Sequence, residues 1–217
     1  MSRHPAPEEL LLDYAAGALP AGPALAVALH AALDPAAQRL LARLDALGGA
    51  LLEGEEGAAL DDAMLDRALA KLDSVAIEPR PAPAKTPAGF EWAPAPLVRH
   101  LPSDARWRRA FGGFDEIRLD LGGGDHRVSL LRLEPGKGLP MHQHTGSEYT
   151  VVLQGGYTDA TGSYAAGDFA VGPGEEQHQP IADPGEPCIA LIVLERPIVL
   201  TGAVGRWFNP LVRRGWI

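Results

Sequence analysis

The stretch His142-Gln-His144-Thr-Gly-Ser-Glu148-Tyr-Thr-Val-Val-Leu153 restricts what this 217-residue chain can fold into more than any other part of it. Two histidines sit one residue apart, and a glutamate follows four residues after the second. Residues 149–153 are β-branched, aromatic or aliphatic, which predicts strand. Side chains on a strand alternate faces, so His142, His144 and Glu148, all even-numbered, are expected to point the same way. His178, in Gly172-Pro-Gly-Glu-Glu-Gln-His178, is expected from a second strand alongside. Three imidazoles and one carboxylate suit zinc, iron, manganese, nickel or copper. A single carboxylate argues against calcium or magnesium.

Composition narrows the class. A hydrophobic fraction of 46% is ample for a core, and no apolar run approaches the length of a membrane span. The N-terminus lacks the apolar centre of a signal peptide, so a cytoplasmic protein is expected. Cys188 is the single cysteine, which excludes an internal disulfide and a thiolate-rich zinc site. The net charge of −9 is uneven: residues 1–84 carry 6 Lys or Arg against 13 Asp or Glu. Direct binding to nucleic acid is therefore disfavoured, whereas an acidic N-terminal half suits a basic protein partner.

Along the chain the period changes once. Residues 1–77 read as short amphipathic helices. The first begins at Pro7-Glu-Glu and ends at Gly17. The second carries Leu25, Leu29 and Leu33. A third opens at Asp34-Pro35, an N-cap followed by proline at the first helical position, and carries Leu40, Leu44, Leu47 and Leu51. It is expected to weaken at Gly48-Gly49. The fourth, over 61–73, puts Leu65, Leu69 and Leu72 on one face. Residues 78–96 alternate prolines and read as a semi-rigid linker, whose Phe90 and Trp92 are expected to dock on a neighbouring surface. From 97 to 217 short strands alternate with glycine turns, and 189–194 is a continuous apolar run, predicting a small barrel or jelly roll. The fold class is thus α+β and multi-domain, with a helical unit before an all-β barrel.

Gly136, His142-x-His144, Glu148 and Gly155 have the spacing of the first cupin motif, and Gly167-Asp-Phe-Ala-Val-Gly-Pro173 with His178 resembles the second. Glu175 and Ala182 depart from the second motif at positions that are not ligands. The whole layout, an acidic helical unit, a proline linker and a C-terminal cupin, resembles the ChrR-type cupin anti-sigma factors. Further support comes from His4 near Glu8-Glu-Leu-Leu-Leu-Asp-Tyr14, His30, and Arg106-Trp107. This resemblance implies a helical unit that sequesters an extracytoplasmic-function sigma factor, and a metal-binding cupin that takes part in stress sensing. It implies His142, His144, Glu148 and His178 as the metal ligands. Pairing of two copies through the cupin stays open.

The resemblance breaks in the helical unit, where the family holds zinc with an early histidine and a His-x3-Cys-x2-Cys pattern. The cysteine positions are Asp34 and Ala37 here. Helical spacing leaves His4, His30 and Asp34 as a weak second site, although capping explains Asp34 by itself. Cys188 reads as an inert thiol, His100 and His126 as solvent-facing, and Arg106, Arg108 and Arg109 as a solvated cluster. Glu175 and Glu176 are expected to be exposed loop acids. No side chain is assigned a catalytic role. Four protein donors suit a closed zinc site, whereas iron, manganese or nickel would leave positions free, so a dioxygenase-like cupin metalloenzyme is the alternative reading.

Overall fold

Proline sets where the N-terminal helices begin. α1 (Glu8–Ala15) follows Pro7 with two acids in its first turn, and α2 (Ala21–Leu33) follows Pro20. α3 (Pro35–Glu53) starts as read: the Asp34 carboxylate accepts the Ala36 N–H at 3.0 Å, and Pro35 occupies a position that needs no donor. Gly48 and Gly49 do not interrupt it, because each costs only about 1 kcal/mol against alanine and helix-forming Leu and Ala residues flank them. α4 (Met64–Ser74) and the single turn α5 (Ala95–Val98) follow. The computed structural model describes residues 2–59, 61, 63–75, 85–110, 112–123, 125–172, 177–202 and 205–213. The first part of the expected linker (78–84) and the acids Glu175 and Glu176 lie outside the described residues.

Strands take over from there. They are β1 (Arg108–Arg109), β2 (Asp115–Leu119), β3 (Arg127–Leu133), β4 (His142–Gln143), β5 (Glu148–Gln154) and β6 (Gly156–Thr158), then β7 (Ser163–Ala165), β8 (Phe169–Val171), β9 (Ile181–Ala182), β10 (Cys188–Leu194) and β11 (Val199–Leu200). A six-stranded sheet runs β1-β2-β3-β10-β5-β8, a three-stranded one β7-β6-β9, and β11 pairs with β4. Every pairing is antiparallel. α6 (Asn209–Arg213) closes the described chain.

The central strands of the large sheet, β3, β5 and β10, are buried on both faces, and their alternation sorts residues between two environments. Val128 and Leu130 of β3, Val151 and Leu153 of β5, and Leu191 and Val193 of β10 face the helices, in one core with Leu25, Val27 and Leu29 of α2. Their neighbours Leu131, Leu133, Val152 and Cys188 form a second apolar cluster inside the barrel with Tyr157 and Ala182. α2 lies directly on β5 and β10. The approach is so close that a Cβ on Gly22 would stand 2.9 Å from Val193 Cγ1. Phe90 and Leu97 are buried in the same core and Trp92 packs on it, so the described part of the linker docks as expected. Fully burying each such side chain contributes about 1.5–3 kcal/mol, and the helices and the barrel share these contacts.

Only the first half of α3 joins that core, through Ala37, Leu40, Leu41 and Leu44. Beyond it, Leu47, Leu51 and Leu52 of α3 and Met64, Leu65, Leu69 and Leu72 of α4 are exposed. No helix among the described residues is long and apolar enough to cross a membrane.

Candidate metal centre

Backbone pairing brings the histidines together. His142 and His178 form an antiparallel bridge in which each donates its N–H to the other's carbonyl, at 3.1 and 2.9 Å. Their imidazole centroids are consequently 4.5 Å apart, and each lies 5.0 Å from the ring of His144. One nitrogen from each of the three falls within 4.8 Å of the others, and all three side chains are buried. The shared face does not come from one regular strand. β4 ends at Gln143, and a turn at 145–147 separates it from β5, which begins at Glu148.

Glu148 stands slightly apart from this cluster. Its Oε2 lies 2.9 Å from His144 Nδ1, and its Oε1 accepts the Thr150 hydroxyl at 2.9 Å. Burial opposes its ionisation, but His144, His142 and Thr150 outweigh that and hold the carboxyl below its ordinary range. Gly172 makes room for it, since a Cβ there would come within 2.8 Å of Glu148 Cβ.

The partners of the rings fix where lone pairs point. His142 Nδ1–H donates to the Pro140 carbonyl at 2.8 Å, and His178 Nδ1–H donates to Asp159 Oδ2 at 2.9 Å, so both expose a bare Nε2. His144 is the unbalanced member. Its Nε2 is 2.8 Å from the bare Nε2 of His178, while its Nδ1 faces the Glu148 carboxylate without the alignment of a hydrogen bond. A neutral imidazole has one N–H and cannot satisfy both sides. A cation among the three rings resolves the conflict, and burial, which lowers His142 to about 4, keeps that ring neutral and able to ligate. The donor set therefore fits a divalent transition ion. Asp159 is the residue that sequence reasoning missed. It sits in a turn nineteen residues before His178, and only the pairing of β6 with β9 brings it near.

Of the three residues of the weak second site, His30 Nε2 and Asp34 Oδ2 lie 3.8 Å apart, whereas His4 points elsewhere. His30 is fully buried, accepts the Ala6 N–H on Nε2 at 3.1 Å and donates Nδ1–H to the Gly167 carbonyl at 2.9 Å, which occupies both nitrogens. Asp34 caps α3 and accepts the Ser2 hydroxyl at 2.7 Å. His4 turns away, with its Nε2 on the Ser163 carbonyl at 3.2 Å and its ring 4.5 Å from Tyr164. Among the described residues these three form no group of three converging metal-ligand atoms, and their contacts make a clasp. Asp168 accepts the Arg3 and His4 N–H groups at 2.7 and 3.1 Å, and Phe169 N–H reaches the His4 carbonyl at 2.8 Å. The N-terminal segment is thereby tied to β8.

Cys188 is buried, and burial pushes its thiol up to about 12, in keeping with an inert reading. Arg106, Arg108 and Arg109 are exposed, as is His100. His126, expected in solvent, is half-buried instead and packs near Gly22, because α2 covers that edge of the sheet.

A family model described as the ChrR cupin-like domain matches residues 98–196. The anti-sigma-E factor ChrR of Cereibacter sphaeroides is 35% identical over 214 residues, which is 97% of this chain and 98% of that protein. The crystal structure of Rhodobacter sphaeroides SigE in complex with the anti-sigma ChrR matches with a TM-score of 0.72 at 34% identity, covering 88% of this chain and 98% of that one.

Proposed function

The chain belongs to the ChrR family of cupin anti-sigma factors, and from that membership we propose that it sequesters an extracytoplasmic-function sigma factor through residues 1–77. The observation that carries this reading is the apolar face left uncovered on the acidic helical unit. Leu51 is 65% exposed, Leu65 67% and Leu72 68%, on the second half of α3 and on α4. Exposed leucine stripes of this kind mark a partner site. The occupant follows from the relative, whose structure was determined with SigE.

The cupin, residues 97–217 beyond the linker at 78–96, supplies the sensing part. His142, His144 and His178 hold the ion through nitrogen, with Glu148 as the fourth donor, and zinc is the metal this closed set suits best. The ion would supply a positive charge that fixes the three rings. The chain's own residues do the rest: Pro140 and Asp159 orient two imidazoles, and β5 connects the site to the helices, since Glu148 and Thr150 face inward where Val151 and Leu153 face α2. Disturbing the site thus shifts a strand on which the sigma-binding unit rests.

The test is a titration of the protein with an extracytoplasmic-function sigma factor of the same organism. A complex at micromolar concentration or tighter is expected, and its absence would overturn the reading. Bound iron with oxygen uptake on a candidate substrate would favour the metalloenzyme alternative.

A further inference from the structure

We propose that the cleft at the outer edge of the large sheet binds a small soluble molecule carrying two phosphate groups set about 7–8 Å apart. The cleft has a volume of about 580 Å³, which is within the range of ligand pockets. Segment 102–106, β1 and β2 form most of its walls, and none of the three metal-centre histidines lines it. Phe114, Glu116 and Arg127 line both this cleft and the barrel cavity, and so stand between the two. Five arginines meet here, Arg106, Arg108, Arg109, Arg118 and Arg127, against the carboxylates of Asp104 and Glu116. The chain as a whole carries a net charge of −9, so this cleft reverses the sign of its surroundings.

Register spaces the cations. Arg108 of β1 lies opposite Glu116 of β2, and Arg118 of β2 lies opposite Ser129 of β3. Cross-strand partners share a face, so these four emerge on one side together with Arg127, two residues before Ser129. Arg118 is thus the diagonal neighbour of Arg108 on one strand and of Arg127 on the other, about 7–8 Å from each. Glu116 is the buried post that holds them. Arg127 Nη2 donates to its Oε1 at 2.8 Å, the Ser129 hydroxyl to the same oxygen at 2.7 Å, and Arg118 Nε to Oε2 at 3.3 Å. Burial works against the charge of Glu116, but Ser129 and Arg127 outweigh that and hold its carboxyl below the ordinary range. One ionised carboxylate therefore positions two guanidinium groups and leaves positive charge in surplus. Arg109 is paired with Asp115 at 3.3 Å, whereas Arg106 and Arg108 pair with no carboxylate among the described residues. A guanidinium fork matches the oxygens of a phosphate, and a phosphate brings more than one negative charge to offset the surplus. One such group satisfies a single arginine of the row; two, at the diagonal spacing, engage neighbouring ones.

The probes are fructose 1,6-bisphosphate and fructose 6-phosphate, which share a skeleton and differ by one phosphate. Each is titrated calorimetrically into the protein with no sigma factor present. Saturable binding of the bisphosphate is expected, at least about tenfold tighter than that of the monophosphate. Arg108→Gln and Arg118→Gln should each weaken it at least about tenfold, with melting temperature and metal content unchanged. Arg39→Gln removes an exposed charge from α3 instead, and should leave the affinity as it is. The proposal is overturned if the wild-type protein shows no saturable bisphosphate binding, or if the monophosphate binds as tightly. It is equally overturned if Arg39→Gln costs as much as the cleft variants, or if neither cleft variant changes the affinity. Phosphatidylcholine vesicles bearing a phosphatidylinositol bisphosphate, and a short DNA duplex, are the remaining arms. Binding of either through Arg108 and Arg118, with the soluble bisphosphate ignored, would overturn the proposal in favour of a membrane or a nucleic acid.

Discussion

Two aspartates and one histidine show what single side chains contribute. Asp159 touches no proposed ion, yet it fixes the tautomer of His178 through a 2.9 Å hydrogen bond. Asp159→Asn should weaken metal binding about 10–100-fold in chelator competition with little change in fold. His30 and Asp168 fasten the N-terminal segment. Burial lowers His30 below its ordinary 6.5, against the Gly167 carbonyl and the Asp34 and Asp168 carboxylates, which favour the proton. As the pH falls, the unfolded chain takes up this proton before the folded one, so the contribution is complete above 6.5 and declines below it. His30→Asn should cost about 1–3 kcal/mol, and its melting temperature should fall less steeply with acidification than that of the wild type. The candidate donors His142, His144 and Glu148 were legible in the sequence because their spacing is local, and His178, which the bridge to His142 brings alongside, because the residues before it resemble a known motif. Asp159 and Asp168 were not, because each acts on a partner that tertiary pairing brings close: Asp159 on His178, and Asp168 on Arg3 and His4, over 160 positions away.

Elements divide the labour between holding and reaching. α2 is committed to the sheet, whereas the second half of α3 and all of α4 carry leucines that touch no core. Substituting Leu65, Leu69 and Leu72 together with glutamate should leave the melting temperature within about 1 °C of the wild type, since such surface changes are near neutral. The same change should lower sigma affinity at least about a hundredfold in calorimetric titration. β5 ends at a stricter position. Gly155 has φ +63°, and a Cβ there would meet the Pro187 carbonyl oxygen at 2.6 Å. Gly155→Ala should therefore destabilise the protein by about 2 kcal/mol or more in denaturant melts. Helix starts were readable because Asp34-Pro35 leaves few alternatives, and the strands because their period is two. The persistence of α3 through Gly48-Gly49 was not readable, since a propensity cost of that size does not overcome good flanking residues.

Over the whole molecule, the order of a helical unit followed by a barrel was visible in the switch of period. That the two are docked was not. A run such as Ile189-Ala-Leu-Ile-Val-Leu194 announces burial on both faces, but not that helices cover one face while a ligand-sized cavity lies under the other. Because a single core joins them, the barrel expressed alone would uncover Val151, Leu191 and Val193. Residues 97–217 by themselves should bind a hydrophobic dye and melt lower than the full chain, in which helices and barrel unfold together. The central claim is that the molecule has one metal centre, built by strands, while its helices are clasped by hydrogen bonds. Elemental analysis of the purified full-length protein, beside a variant with His142, His144 and His178 all changed to alanine, tests it most directly. One divalent transition ion per chain in the wild type and none in the variant is the predicted result; two ions per chain, or an ion retained by the variant, would contradict it.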